Sequence, residues 1–160
     1  MWVVKTWPEL AALRPDLTEA GVALLYQHDV GLGFLATVRP DGGPRLHPMC
    51  PILTGDGMFA FIVPSPKQTD LRRDGRYALH SFPCPDGEDA FAVTGRARLV
   101  EDGSVRTALS EQFVAERAQF AVPAPSDDDL LFELLVEGCL LTRTTGHGDP
   151  APQHTVWRAG

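Results

Sequence analysis

The chain has 160 residues, of which 44% are hydrophobic and 22% charged, and these values are those of a single soluble globular domain over residues 1–160. Its formal net charge of −7 argues against nucleic-acid binding, which usually needs a basic face. No apolar run approaches the roughly 20 residues that cross a bilayer, and the first residues lack the pattern of a secretory signal.

The three cysteines bear on the cellular compartment. Cys50, Cys84 and Cys139 are odd in number and widely spaced, which does not suit a disulfide framework. Reduced thiols are typical of the cytoplasm. We therefore expect a cytoplasmic protein with no membrane or nucleic-acid partner.

The first 25 residues predict helix. Thr6 is placed to cap a helix that begins at Trp7-Pro8. Apolar residues then recur at helical spacing as far as Leu25, with Pro15 between them. This pattern indicates either one helix that is broken near Pro15 or two short helices.

A β-hairpin is predicted over residues 33–52. Side chains alternate between two faces along residues 33–39, and the Asp41-Gly42 pair that follows is a strong signal for a tight turn. The alternation resumes as far as Ile52, with Arg45 and His47 on one face. We therefore expect the polar side chains of the two strands on a common face.

The return strand of this hairpin contains prolines. Pro48 and Pro51 cannot donate to a β-ladder, so the strand should be an edge or contain a bulge. Backbone groups at Met49 and Cys50 would then be free to meet a flat heteroaromatic ring, with His47 beside them. An ordinary surface role for His47 fits the sequence equally well.

A loop with phosphate-binding chemistry follows the next strand. Residues 58–63 are apolar on both faces, which predicts a central strand. They end at Pro64-Ser65-Pro66-Lys67, where a hydroxyl and an ammonium group lie two residues apart, and both suit a phosphate. With the polar face of the hairpin, this loop would form a cradle for a phosphorylated ligand; a solvated loop is the alternative.

The remaining segments complete a small barrel. Strands are expected at residues 76–82, 90–100, 130–145 and 154–157, with a bulge or close approach at Gly95 and a helix from the cap Asp102 to about Phe120. The architecture is mainly β, of the α+β class, with about six antiparallel strands. A barrel this narrow cannot enclose a flat ring, so a ligand must lie outside it, where a second copy of the chain would complete the site.

The sequence gives little support for a metal site or for a catalytic nucleophile. His47-Pro-Met-Cys50 and the pair His80 and Cys84 have short spacings, but the tighter ligand sets of zinc sites are missing. No G-x-S-x-G elbow is present, and the cysteines suit small core positions. We predict no metal site and assign no catalytic residue.

Several segments together resemble the FMN-binding split-barrel family typified by pyridoxamine 5′-phosphate oxidase. They are Gly33-Phe-Leu-Ala-Thr-Val-Arg-Pro-Asp-Gly-Gly-Pro44, the strand at residues 47–52, Ser65-Pro-Lys67 with Leu71-Arg-Arg-Asp-Gly-Arg-Tyr77, and Val93-Thr-Gly-Arg-Ala-Arg-Leu-Val100. Their order and spacing carry the resemblance, which is good over residues 31–102 and looser elsewhere. It implies a six-stranded antiparallel split β-barrel with flanking helices.

The resemblance also implies a function. It indicates an FMN-dependent oxidoreductase of unknown substrate, a homodimer with the flavin in the cleft between its subunits. The implied cofactor-binding residues are His47, Pro48, Met49, Cys50, Pro51, Ile52, Phe61 and Ile62 near the ring, Ser65 and Lys67 at the phosphate, and Trp157 and Arg158 from the other subunit. The oxidase itself has arginine at the positions of His47 and Pro66, which leaves open a deazaflavin-dependent reductase, a haem-binding relative or a non-enzymatic flavin-binding module.

Overall fold

The computed structural model describes residues 2–160, which form eight strands and four α-helices. In chain order these are α1 (Trp7–Leu13), α2 (Pro15–Leu25), β1 (Gly33–Val38), β2 (Pro44–Met49), β3 (Ile52–Leu53), β4 (Met58–Ile62), α3 (Pro66–Arg73), β5 (Arg76–Ser81), β6 (Ala90–Leu99), α4 (Gly103–Glu116), a 3-10 turn (Ala118–Phe120), β7 (Leu130–Arg143) and β8 (Gln153–Arg158). No helix between residues 2 and 160 has the length and apolarity needed to cross a membrane.

The strands form one antiparallel sheet that curls into a split barrel. The strand order is β2-β1-β5-β6-β7-β4-β3, and β8 pairs with the second half of β7. Since β2 and β3 lie at opposite ends of this order but are joined by only Cys50 and Pro51, the sheet must curl until its two ends meet. The predicted mainly β barrel with flanking helices is confirmed.

The strand count exceeds the prediction of six. The predicted return strand over residues 45–52 is interrupted at Cys50 and Pro51, so that β2 and β3 are separate strands. A proline has no N–H to donate, which explains a break at this point. The C-terminal segment contributes a full strand, β8, through six residue pairs with β7.

Two hydrophobic clusters stabilise the barrel. The larger fills its interior and extends beneath α1 and α2, where Trp7 packs edge-on against Phe91. The smaller lies between α4 and strands β3, β4 and β7 and includes Phe59 and Leu109. Complete burial of side chains of this size contributes about 1.5–3 kcal/mol each. Helix α4 is therefore held to the barrel by its own cluster.

Glycines allow two close backbone contacts. A Cβ atom at Gly95 would lie 1.8 Å from the Leu135 carbonyl oxygen, and the pairing of β6 with β7 shifts register between Thr94 and Gly95. The predicted irregularity at Gly95 is thus confirmed. A Cβ atom at Gly31 would lie 1.9 Å from the Pro51 carbonyl oxygen, so only glycine fits where the chain passes the β2–β3 connection.

Three helix predictions can be compared with the structure. Thr6 and Glu9 form a reciprocal capping box, and two short helices meet at Arg14, as one of the two alternatives predicted. Asp102 caps α4, but this helix ends at Glu116 and Phe120 is 57% exposed rather than in the core. The predicted loop 64–67 is also shorter than expected, because Pro66 and Lys67 form the first turn of α3.

Candidate functional site

The N-terminus of α3 carries two unused hydrogen-bond donors. The Ser65 hydroxyl accepts from the Gln68 N–H at 3.4 Å and donates to the Val63 carbonyl at 2.8 Å, so it acts as the helix cap. Among residues 2–160, the backbone N–H and the ammonium group of Lys67 have no partner. Because a helix N-terminus also carries partial positive charge, this turn offers donors suited to an anion.

Gln68 fixes this turn against the barrel. Its side-chain amide donates to the Ile62 carbonyl at the end of β4 at 2.7 Å and to the Asp128 carbonyl at 3.1 Å. The second contact brings the acidic segment 127–129 close to the start of α3. The first turn of α3 is therefore fixed both to β4 and to the segment that precedes β7.

A buried carboxylate joins α3 to the first hairpin. Asp70, which is only 2% exposed, accepts hydrogen bonds from the Thr37 hydroxyl at 2.9 Å and from Arg45 Nε at 2.8 Å. Arg73 lies 3.6 Å away on the other carboxylate oxygen. Burial raises the pKa of the Asp70 carboxyl, but the hydrogen bonds from Arg45 and Thr37 outweigh it, so this pKa is lower than usual.

This arrangement corrects one expectation from the sequence. Thr37 and Arg45 do share a face, but that face packs against α3 instead of forming an open cradle with the residues 64–67. The reason is that the Asp70 carboxylate neutralises the Arg45 guanidinium and accepts the hydrogen bond of the Thr37 hydroxyl. The charge of Arg45 is thus already compensated within the chain.

The residues implied for the flavin ring differ in their exposure. Ile52 and Ile62 are fully buried and Met49 nearly so. Phe61 packs edge-on against Phe113 of α4, with ring centroids 6.1 Å apart. A ligand could reach the three buried residues mainly through their backbone groups, whereas the half-buried Phe61 ring is partly accessible.

The β2–β3 connection has a partner in the residue that caps the C-terminal end of α2. The Tyr26 hydroxyl accepts the Leu53 N–H at 3.0 Å and lies 3.4 Å from the Pro51 carbonyl. Burial and the nearby Glu116 carboxylate raise the pKa of Tyr26 to about 12, so this group stays a neutral hydroxyl. Cys50 is partly exposed, and Pro51 is buried.

His47 and Trp157 lie at the two ends of one row of paired residues. The row crosses the inner face of the sheet through four buried side chains, Leu35, Leu79, Val93 and Cys139. His47 makes no hydrogen bond within the described residues, and the Trp157 ring packs against the barrel core. Both point inward, whereas Pro48 and Arg158 belong to the outer face.

Arg158 is far from the start of α3 in a single chain. It pairs with Gly138 on β7, while the end of β4 pairs with Leu130 on the same strand. Eight residues of extended strand span about 26 Å. Arg158 and Trp157 instead line a shallow cavity of about 300 Å³ with Leu140 and Val156. One chain therefore does not bring the implied phosphate and C-terminal residues together.

The outer face of six strands is partly exposed and largely apolar, a feature that sequence reasoning missed. Paired residues form two rows across β2, β1, β5, β6, β7 and β8: Pro48, Phe34, His80, Ala92, Leu140 and Val156, and beside them Leu46, Ala36, Ala78, Thr94, Gly138 and Arg158. We call these twelve residues the outer sheet face. Leu46 is 64% and Val156 57% exposed. A sheet face this apolar is typical of an interaction surface.

A second cavity borders the outer sheet face. It has a volume of about 590 Å³ and is lined by Phe34, Phe82, His80 and His147 among others. The two phenylalanine rings are stacked with centroids 4.5 Å apart. No cluster of three metal-binding side chains occurs in the part of the chain that the structure covers.

The architecture defines the class of protein, a split barrel of antiparallel strands. A family model described as pyridoxamine 5′-phosphate oxidase matches residues 17–142. The chain therefore belongs to the pyridoxamine 5′-phosphate oxidase family. No functionally curated protein matches it.

Several solved structures share this fold, and two of the three described here are named for heme. A Clostridium acetobutylicum protein related to general stress protein 26, of the pyridoxinephosphate oxidase family, has 12% identity and a TM-score of 0.60, and the match covers 94% of this chain and 95% of that one. A heme binding protein from Mycobacterium smegmatis has 17% identity and a TM-score of 0.64, with 88% and 57% covered. The heme storage protein HutZ from Vibrio cholerae has 17% identity and a TM-score of 0.55, with 78% and 90% covered. At these identities the likeness concerns the fold alone.

Proposed function

We propose that this protein binds FMN in a cleft between two copies of the chain and acts as a flavin-dependent oxidoreductase. The observation that carries the proposal is Lys67, whose backbone N–H and ammonium group are both unused at a helix N-terminus. A phosphate monoester accepts hydrogen bonds from both kinds of donor. Membership of a family that often binds flavin supports the same cofactor.

The shared cleft follows from the distance between the two groups of implied residues. Arg158 and the start of α3 are separated by about 26 Å along β7, so one chain cannot close both around one flavin. The outer sheet face supplies an apolar surface for a second copy, and family members commonly form dimers. In a two-fold dimer, Arg158 of one subunit would approach the Lys67 turn of the other, while the Trp157 ring stays packed on the core of its own barrel.

The residues of this chain would bind and orient the cofactor. Bound FMN would supply hydride or electron transfer, which no side chain here provides. Lys67 would hold the phosphate, and the exposed guanidinium of Arg158 would add a second cation from the partner subunit. Three free cysteines support a cytoplasmic location for this chemistry.

Haem binding is a second candidate, favoured by one specific feature. The cavity beside the outer sheet face places stacked Phe34 and Phe82 near His80 and His147. Each histidine has one ring nitrogen in contact with a backbone carbonyl, which leaves the other nitrogen for a metal. Apolar walls and a free imidazole are the groups that a haem would need.

Titration of the purified protein separates these functions. We expect FMN to bind more tightly than FAD or riboflavin, because the Lys67 turn has donors for one phosphate and the chain has no dinucleotide motif. Quenching of flavin fluorescence measures the affinities for FMN, FAD and riboflavin. The change in hemin absorption measures the affinity for hemin. Tighter binding of FAD than FMN, or stoichiometric binding of hemin without FMN binding, would contradict the proposal. Bleaching of bound FMN by a reduced nicotinamide then distinguishes an oxidoreductase from a non-enzymatic module.

A further inference from the structure

We propose that a cavity beneath α4, separate from the flavin site and independent of the proposed function, binds a small organic cation with an apolar body. The cavity has a volume of about 490 Å³, within the range of ordinary small-molecule sites. It lies between the first half of α4 and the turn that joins β3 to β4. We call it the α4 cavity.

The walls of the α4 cavity are apolar and its charges are negative. Phe59, Val105 and Leu109 supply hydrophobic surface, while Asp56 and Glu133 supply carboxylates. No lysine, arginine or histidine lies among the described residues that line it, and Arg98, which pairs with Glu133 from outside the lining, leaves one net negative charge. An anion is therefore disfavoured here, and a ligand with an ammonium group and a hydrocarbon body matches both features.

Glu133 provides the specific anchor for that ammonium group. Its side chain is only 10% exposed, and Oε2 is paired with the guanidinium of Arg98. Within residues 2–160 the other oxygen, Oε1, accepts no hydrogen bond. Oε1 lies 3.5 Å from the position that a Cβ atom at Gly57 would occupy, which places it beside the turn that borders the cavity.

A carboxylate with one oxygen free of protein partners can still accept a hydrogen bond from a positively charged donor. Oε1 is accessible to water, since Arg117 Nε is the one side-chain nitrogen or oxygen of the described residues that is both buried and without a partner. A ligand ammonium at Oε1 would replace that water with a charge-assisted hydrogen bond.

Thr54 and Gln112 line the same cavity, but the Thr54 hydroxyl is used within the turn at residues 54–57. The Gln112 amide nitrogen donates to Leu53 and Glu116, which leaves the Gln112 amide oxygen to orient a polar substituent. The geometry thus points to a primary amine at Glu133 with its apolar portion against α4.

The direct test uses 2-phenylethylamine and its neutral analogue 2-phenylethanol. We expect the amine to bind more tightly, with NMR amide shifts confined to residues 54–57 and 104–112. Glu133→Gln should weaken the amine at least tenfold and leave the alcohol unchanged. Glu137→Gln is the matched control, because Glu137 lies on the same strand and is paired with Arg96 at 3.1 Å, but does not line the cavity.

A second variant keeps the test decisive if Glu133→Gln fails to fold. Ala108 is exposed on α4 and lines the cavity, so Ala108→Leu should fill it and abolish binding of both probes. The proposal is overturned by equal affinity for amine and alcohol, by shifts outside the two segments, or by an unchanged amine affinity in either variant.

Discussion

Asp70 joins three elements through a single buried carboxylate. It receives hydrogen bonds from Thr37 on β1 and Arg45 on β2 while it lies in the middle of α3. Arg73, one turn further along, also donates to the Val38 carbonyl. Since Lys67 begins the same helix, the position of the proposed phosphate site depends on this network.

Replacing Asp70 should show how much its charge contributes to the free energy of unfolding, because that contribution depends on pH. A carboxyl whose pKa is lowered by folding stabilises the protein above its unfolded pKa of about 3.9, and this stabilisation is lost as the pH falls through the lower folded pKa. Asp70→Asn should therefore reduce the free energy of unfolding by about 3 kcal/mol at pH 7, and the deficit should shrink below pH of about 4.

Urea unfolding at a series of pH values measures this difference. Asp16→Asn is the control, since the Asp16 side chain is 60% exposed in its pair with Arg14 and surface pairs contribute little. The charge network is excluded if Asp70→Asn has the same free energy of unfolding as the wild type at pH 7. It is also excluded if a lower free energy of unfolding persists unchanged in acid.

The sequence predicts part of this network and could not predict the rest. Alternation along β1 and β2 correctly places Thr37 and Arg45 on one face. Their partner Asp70 lies 33 and 25 residues away, in a polar segment that reads as a short helix with a solvated surface. Local patterns carry no information on which distant carboxylate will neutralise an arginine.

At the scale of elements, turns and caps are the most predictable features. The Asp41-Gly42 hairpin, the Thr6 and Asp102 caps and the irregularity at Gly95 all depend on backbone preferences of single residues, and all are confirmed. The position of β3 is less predictable, because its pairing with β4 covers only two residues.

The orientation of a strand is harder to predict than its existence. In β1 the apolar residues Phe34, Ala36 and Val38 face outward, while Thr37 is buried. Period-2 alternation assigns residues to two faces but does not say which face meets the core. Here both faces of β1 are partly apolar, so the pattern alone does not identify the face that is buried. The packing of α3 and the proposed partner subunit together determine which face is covered by which element.

For the whole molecule, the outer sheet face leads to a prediction about assembly. The proposed model requires a homodimer, and Leu46 is the most exposed apolar side chain of that face. Leu46→Glu should convert the dimer into a monomer at micromolar concentration and weaken FMN binding at least tenfold, because a charge without a partner is costly at an interface. Light scattering measures the mass.

Leu13→Glu provides the matched control for the assembly prediction. Leu13 is 57% exposed at the end of α1 and lies outside the outer sheet face, so this variant should remain a dimer. A monomeric wild-type protein with FMN bound would contradict the shared cleft. So would a Leu46→Glu variant that stays dimeric.

The proposed function depends on Lys67 as the residue that holds the phosphate of FMN, and calorimetric titration of Lys67→Ala with FMN and riboflavin tests this role. A charge-assisted contact of about 1.5–3 kcal/mol predicts an FMN dissociation constant that rises about ten- to a hundredfold. Riboflavin, which has no phosphate, should bind almost as before. Equal weakening of FMN and riboflavin by Lys67→Ala, or no change in either, would show that Lys67 does not hold the phosphate.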